Sequence, residues 1–136
     1  MTGNWDIDAR LAADGPALAD WPLCQVRAKT DMGLPWLVLV PRRVGLTEWH
    51  QLRTDEGAQL HQEIAVASRL LSQSTAPTKV NVGALGNIVR QFHVHLIARY
   101  DGDRAWPGPI WGHPPAPMTH DLAALYQAVT LYDWDD

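Results

Sequence analysis

The sequence contains a single cysteine, Cys24, among its 136 residues. One thiol can form neither an internal disulfide nor a zinc site built on several cysteines, and we expect a buried thiol in a reducing compartment. No apolar stretch approaches the roughly 20 residues of a membrane-spanning helix. The first residues do not combine a basic region with an apolar one, as a secretory signal does. These absences predict a cytoplasmic protein with no membrane partner.

An excess of positive charge is also missing. With 11 basic and 15 acidic residues the net charge is −4, so the chain has no general attraction to nucleic acid, and we expect no such partner. Any phosphate must therefore be bound by local donors. The glycine-rich phosphate loop, the Gly-x-Ser-x-Gly elbow and the His-Glu-x-x-His zinc motif are absent as well. Tryptophan is abundant, with seven residues against one phenylalanine, and we expect most of these rings to pack in a core or interface.

The distribution of apolar residues predicts one α+β domain around a small antiparallel sheet, because 136 residues suit one core but not two. Apolar runs bounded by Gly, Pro and Asp favour four strands, at residues 23–30, 37–40, 79–82 and 88–99. The first two are joined by a turn at 31–35 and should form a hairpin. The segment 106–117 carries too much proline for a helix or a central strand.

Short helical segments are predicted from their capping residues. Asp8 should cap a helix over 9–13, which Gly15-Pro16 ends. Thr47 should cap a helical turn at 48–51. Thr119 should cap a C-terminal helix.

A long helix is predicted over about residues 55–72. Its evidence is an apolar stripe with spacings of four, three and four, formed by Leu60, Ile64, Ala67 and Leu71. His61 and Glu63 lie off this stripe, so we expect both to be solvated.

The segment Gln91-Phe92-His93-Val94-His95-Leu96-Ile97 places two imidazoles two residues apart in an apolar run. In an extended strand alternate side chains share a face, so Gln91, His93 and His95 would point the same way. The two histidines would stand roughly 6.5 Å apart, at about 3.3 Å of rise per residue, which suits one phosphate-sized group. Polar side chains on an apolar strand are costly unless something uses them. This face is the candidate site.

Three roles fit the histidine pair. In the first, His93 is a nucleophile or base acting on phosphorus, with a backbone carbonyl fixing its tautomer, and His95 bonds a phosphoryl oxygen or the leaving group. Asn81 and Asn87 in the preceding segment would add polar contacts. In the second role the pair ligates a metal, but no carboxylate follows until Asp101, and the long helix argues against the all-β barrels that use such pairs. In the third, both rings are hydrogen-bonded members of a core.

The histidine segment resembles the signature strand of the histidine triad (HIT) superfamily, in which three alternating histidines are followed by two apolar residues. The resemblance covers about residues 20–110 and implies a HIT-like α+β fold. With the Pro- and Trp-rich segment and C-terminal helix at 106–136, residues 1–136 would form one such domain. Three flanking features are similar as well: the strand with a Pro-basic ending at 37–43, the Asn81-Gly83-Gly86 loop, and the tryptophan-containing tail at 106–108.

The resemblance implies nucleotidyl transfer or hydrolysis at an α-phosphate, without metal or cofactor, in a homodimer. The middle histidine of the motif, here His93, would attack phosphorus to give a nucleotidyl-histidine that water cleaves, and the last, His95, would assist. Asn81, Asn87 and Trp106 would contact the nucleotide. The implied substrates are nucleoside phosphoramidates, aminoacyl-adenylates and dinucleoside polyphosphates, so the expected partner is a purine nucleotide or nucleotide conjugate.

Two positions depart from the family pattern. Gln91 stands in place of the first histidine, and Val44 stands where many members carry a further one. Gln91 can donate and accept hydrogen bonds but cannot carry a proton charge. The sequence therefore predicts a HIT-type hydrolase or transferase with Gln91, His93 and His95 at its catalytic site. The alternative is a non-catalytic nucleotide-binding protein with a degenerate triad.

Overall fold

The fold is known from a computed structural model that describes residues 3–135. Its strands are β1 (Ala17–Asp20), β2 (Cys24–Ala28), β3 (Trp36–Pro41), β4 (Lys79–Gly83) and β5 (Val94–Arg99). Its helices are α1 (Ala9–Ala13), α2 (Thr54–Thr75) and α3 (Ala123–Leu131). The strands form one antiparallel sheet in the order β1-β2-β3-β5-β4. The predicted α+β class and the β2–β3 hairpin are thus confirmed, and no helix within 3–135 is long and apolar enough to cross a membrane.

The long helix α2 covers one face of the sheet. Its predicted stripe is confirmed, since Leu60, Ala67 and Leu71 are fully buried and Ile64 is half-buried. These side chains pack against alternate residues of the central strands, namely Leu37 and Leu39 of β3 and Val94, Leu96 and Ala98 of β5. Every second side chain of β5 therefore packs against α2.

The remaining side chains of β3 and β5 point to the opposite face. There Trp36, Val38 and Val40 pack with Ile97, and α1 adds Leu11 while the segment after β5 adds Ile110. In the register of the sheet His95 lies opposite Val38 on one side and Gly83 on the other. His95 thus belongs to the face that α2 does not cover.

The strand that carries the histidines is shorter than the sequence predicted. β5 begins at Val94 rather than at 88, because its pairing ends with Val94 opposite Leu39 and His95 opposite Gly83. Residues 88–93 form a loop, in which the Phe92 amide donates to the Leu46 carbonyl at 3.0 Å. His93 therefore stands just before the strand.

Strand β1 was not anticipated. Its four residues, Ala17–Asp20, contain none of the β-branched or aromatic types that favour strands. They are extended because they pair with β2, with a register shift between Ala17 and Ala19. The extended structure of β1 is therefore set by its pairing with β2 and could not be predicted from its own composition.

Two of the three predicted caps are wrong. Asp8 does cap α1, accepting from the Arg10 amide at 2.8 Å. The turn at Trp49–Gln51 is not capped by Thr47. Its last residue caps it instead, because the Gln51 side chain accepts from the Thr47 and Glu48 amides at 3.0 Å each. α3 starts at Ala123, whose amide donates to Asp121 at 3.0 Å, so Thr119 lies outside it.

The prediction of a solvated Glu63 is also wrong, whereas His61 is exposed as expected. Glu63 is completely buried. Its carboxylate accepts from the backbone amides of Leu23 and Cys24 at 2.8 and 2.9 Å, and from the Gln59 side chain at 2.8 Å. These bonds replace the water that the carboxylate gives up. Cys24 is buried in β2, as predicted.

Candidate active site

The two histidines of the motif meet in one cavity. Their ring centroids lie 4.8 Å apart with the planes at 79°. His93 is 6% and His95 7% exposed, and both line a cavity of about 270 Å³. His93 and His95 therefore share a face as predicted, although only His95 belongs to the strand. The prediction that the Gln91 side chain shares this face is wrong, since Gln91 does not line the cavity.

The backbone sets the proton position on His93. Its Nδ1 lies 2.6 Å from the carbonyl oxygen of Gln91. Because a carbonyl can only accept, the proton belongs on Nδ1, and Nε2 is left with its lone pair. Within residues 3–135, Nε2 has no hydrogen-bond partner in the protein. His93 thus has the arrangement of a nucleophilic imidazole.

A tryptophan sets the opposite tautomer on His95. The Trp36 indole N–H donates to Nδ1 of His95 at 2.9 Å, so the proton of the neutral ring belongs on Nε2. Burial lowers the pKa of His95 to about 3, with smaller contributions from the charges of His93 and Lys29. At neutral pH His95 is therefore an uncharged ring that can donate one hydrogen bond.

Two tryptophans line the cavity beside His95. Trp36 and Trp111 present edge-to-face contacts to the His95 ring, with centroids 5.5 and 5.6 Å away. Trp111 also presses on β4 at Gly83, where a Cβ would lie 2.9 Å from its ring carbon Cη2. Glycine at this position lets the indole approach the strand closely.

The other cavity walls come from α1, β2 and the loop before β5. Leu11 and Asp14 contribute from and just after α1, Lys29 follows β2, and the loop supplies Ile88 and Asn87. Lys29 forms an ion pair with Asp14 at 3.3 Å. The cavity thus combines apolar walls with a few polar groups, as ligand sites commonly do.

The side chain of Gln91 points away from His93. Its carboxamide oxygen accepts from the Asp8 amide at 2.8 Å, and its nitrogen donates to the Asp6 carbonyl at 2.9 Å. Only the main-chain carbonyl of Gln91 reaches the His93 ring. Gln91 therefore bonds the N-terminal residues Asp6 and Asp8 through its side chain and His93 through its main-chain carbonyl.

The other three predicted contact residues are divided. Asn87 lines the cavity, whereas Asn81 and Trp106 do not. The Asn81 oxygen accepts from the buried Arg99 guanidinium at 2.9 Å, and Trp106 lies 5.8 Å from that group. Arg99 in turn forms a buried ion pair with Asp103 at 2.8 Å, which holds the Asp103 pKa well below its usual range.

Sequence reasoning missed Trp36, Trp111 and Lys29 as neighbours of the histidines. For Trp36 a usable signal existed, because it directly precedes the predicted strand 37–40 and stands two residues before Val38, so extending that strand by one residue puts both side chains on one face. Trp111 comes from an irregular segment and no pattern places it. Within residues 3–135 there is no group of three or more His, Cys, Asp or Glu side chains that could hold a metal ion.

The fold and the site define an α+β protein with a paired, oppositely protonated imidazole centre. Comparison with protein families agrees, since residues 12–102 match the HIT domain. The chain is 42% identical to a histidine triad protein from Sinorhizobium meliloti 1021, with 86% and 87% of the two chains covered and a TM-score of 0.83. The chain belongs to the HIT family.

Two further solved structures agree. A histidine triad protein from Bradyrhizobium japonicum is 42% identical, with a TM-score of 0.83 over 90% of this chain and 96% of the other. One from Marinobacter aquaeolei VT8 is 39% identical, with a TM-score of 0.82 over the same shares, 90% and 96%. A search of curated proteins gave no match. Family membership supports a nucleotide-binding or hydrolase role.

Proposed function

We propose that this protein is a HIT-type hydrolase or nucleotidyl transferase. It acts at the α-phosphate of a nucleoside phosphoramidate or dinucleoside polyphosphate, through a covalent nucleotidyl-histidine at His93. The observation that carries the proposal is the pair of contacts at the two Nδ1 atoms, with the Gln91 carbonyl at His93 and the Trp36 indole N–H at His95. From these contacts we infer a lone pair on Nε2 of His93 and an N–H on Nε2 of His95. One ring is prepared to attack phosphorus and the other to bind a phosphoryl oxygen.

In the first step Nε2 of His93 attacks the α-phosphorus. A phosphorus–nitrogen bond forms and the bond from phosphorus to the leaving nitrogen or oxygen breaks. The leaving atom keeps the electron pair of that bond and takes up a proton from water. The ring becomes positive, and the Gln91 carbonyl 2.6 Å from Nδ1 stabilises that charge. His95 donates to a phosphoryl oxygen, which gains charge in the transition state.

In the second step water attacks the same phosphorus. The phosphorus–nitrogen bond breaks, the nucleotide leaves, the water loses a proton to solvent, and His93 regains its lone pair. Asn87, on the cavity wall, is our proposed contact to ribose or phosphate. For Asn81 and Trp106 we propose contacts only to a part of the substrate that extends beyond the cavity, since both are engaged with Arg99.

The test compares wild type with His93→Ala on an adenosine phosphoramidate and a dinucleoside polyphosphate. We expect nucleotide release to fall at least about 10³-fold, because the nucleophile is lost. Intact-protein mass spectrometry of quenched wild-type reactions should show the nucleotidyl adduct. His61→Ala, an exposed histidine on α2, is the control and should retain full activity.

The second candidate is non-catalytic nucleotide binding. The observation that favours it is the commitment of the Gln91 side chain to backbone groups, which leaves the site with two histidines. Wild-type protein that turns over no substrate at high enzyme concentration, yet binds a purine mononucleotide at micromolar concentration in calorimetry, would establish binding and refute the enzyme.

We also propose that the protein is a homodimer. The support is β4, an edge strand of the sheet, on which Val82 is 46% exposed. The free edge of a sheet is a common pairing surface, because its backbone groups are unpaired. We expect sedimentation equilibrium to give twice the chain mass. Val82→Lys should shift the equilibrium toward the monomer, whereas a monomeric wild type would contradict the proposal.

A further inference from the structure

The N-terminal arm, here residues 6–14, is attached to the histidine motif through one side chain. The Gln91 carboxamide bonds both the Asp8 amide and the Asp6 carbonyl, at 2.8 and 2.9 Å. These partners are 83 and 85 residues away in sequence. Both hydrogen-bonding groups of the side chain are thereby used on backbone atoms of the arm.

Other contacts hold the arm at the same place. The Arg10 guanidinium donates to the Ile88 carbonyl in the loop before β5, at 3.1 Å. Leu11 is 5% exposed and belongs to the apolar cluster on the site face of the sheet. At the end of the arm, the Asp14 carbonyl accepts from the Thr30 amide at 3.1 Å. The arm is docked at both ends.

The docked arm is one wall of the cavity that contains His93 and His95. Leu11 and Asp14 both line that cavity. Leu11 offers an apolar surface, and Asp14 offers a carboxylate paired with Lys29 at 3.3 Å. Neither group belongs to the histidine motif, so the arm adds to the cavity a surface separate from the two imidazoles.

We propose that Gln91 is a positioning residue that clasps the N-terminal arm against the site, so that the arm forms the binding wall for the nucleoside part of the substrate. The nature of that ligand rests on the function proposed above. Binding energy from non-reacting parts of a substrate holds the reacting atom in place. The same residue orients the nucleophile through its carbonyl. Gln91 therefore couples arm docking to the His93 centre.

The experiment uses two substitutions of Gln91 in the full chain. Gln91→Met keeps the length and the main-chain carbonyl but removes both side-chain hydrogen bonds. Gln91→Glu keeps an acceptor for the Asp8 amide but places an oxygen against the Asp6 carbonyl, so its effect should be intermediate. The matched control is Gln62→Met, at an exposed position of α2.

The first readout is hydrogen exchange at the Asp8 amide, which needs no activity. We expect exchange to be about tenfold faster in Gln91→Met and unchanged in Gln62→Met, because the amide loses its acceptor. The second readout separates KM from kcat. We expect KM, and the Kd for a purine mononucleotide, to rise about tenfold while kcat changes by less than about twofold.

Each opposite result has a distinct meaning. Unchanged exchange at Asp8 overturns the clasp, whether or not the protein is an enzyme. A fall in kcat with KM unchanged overturns the role in nucleoside binding, because it shows that the Gln91 side chain acts on the reacting groups instead. If wild type turns over no substrate, the enzyme proposal fails, while mononucleotide affinity still tests the wall. If wild type also binds no mononucleotide, the proposed role of the arm in nucleoside binding is refuted. Hydrogen exchange at the Asp8 amide then still tests whether Gln91 holds the arm in place.

Discussion

At the scale of single residues, two hydrogen bonds give identical side chains different chemistry. The Gln91 carbonyl accepts from Nδ1 of His93, and the Trp36 indole donates to Nδ1 of His95. A neutral imidazole has one donor and one acceptor nitrogen, so each bond determines what the other nitrogen presents to the cavity. Either histidine alone could adopt either form, and its partner decides.

The first prediction concerns Trp36→Phe. Without the indole donor, the proton of His95 can move to Nδ1, and Nε2 then donates for only part of the time. We expect kcat/KM to fall about tenfold, in line with one lost hydrogen bond, and ¹⁵N NMR to show mixed protonation of the His95 ring. Trp134→Phe is the control, since Trp134 packs on Trp21 in the cluster under α2. An unchanged His95 tautomer in Trp36→Phe would contradict this.

At the scale of secondary-structure elements, a buried carboxylate ties α2 to the β1–β2 turn. Glu63 reaches from the helix to the backbone amides of Leu23 and Cys24. The sequence suggested a solvated residue because Glu63 lies off the regular apolar stripe. A charged side chain on that side of a helix is normally exposed. Its burial depends on two amides that are 40 and 39 residues away in the chain, which no periodicity within the helix can reveal.

The element-scale prediction is that Glu63→Ala lowers the free energy of unfolding by about 2–4 kcal/mol. The buried Cys24 amide and the part-buried Leu23 amide would lose their acceptor, and bonds to a charged group are the stronger class. Glu63→Gln should cost less, because one oxygen remains. Urea denaturation measures both, with the exposed Gln62→Ala expected within about 0.5 kcal/mol of wild type. A loss for Glu63→Ala no larger than that of the control would refute the role.

At the scale of the whole molecule, the sheet separates a closed core from the site. The α2 side is filled mostly with aliphatic residues, together with the buried rings of Trp21 and Phe92. The other side is covered by α1 and by irregular segments, and it contains the His93 and His95 cavity. Loops and short elements leave room for a ligand where a long packed helix would not. Burial of His95 on this face links the site to global stability.

That link predicts a pH dependence of folding. His95 has a folded pKa of about 3 against an ordinary value of 6.5. The unfolded chain therefore binds a proton below about pH 6.5 that the folded protein resists. Stability should be complete above that pH and should fall progressively toward pH 3. The expected loss from this group is about 2–3 kcal/mol at about pH 4.5.

Urea denaturation at about pH 7, where the stability from His95 is complete, and at about pH 4.5 checks this prediction. His95→Phe removes the titrating ring, so the difference between the two pH values should shrink by most of that amount. The exposed His61→Gln should keep the wild-type difference. Equal pH dependence in wild type and His95→Phe would show that His95 does not carry the effect.

Much of the architecture could be predicted from sequence. The stripe of α2, the β2–β3 hairpin and the Asp8 cap depend on residues close together in the chain, so local patterns reveal them. β1 could not be predicted, because its extended form comes from pairing with β2. The start of β5 was wrong for a related reason: residues 88–93 have strand-like composition but lie beyond the end of the pairing.

The sequence by itself determined the family and the presence of His93 and His95 in one site, because a short alternating motif carries that information. Only the tertiary structure decided which nitrogen of each ring holds the proton, that Gln91 bonds the N-terminal arm, and that Asn87 lines the cavity while Asn81 and Trp106 do not. The physical reason is that a hydrogen bond depends on partners that folding brings together. Most of these partners are tens of residues distant in the chain.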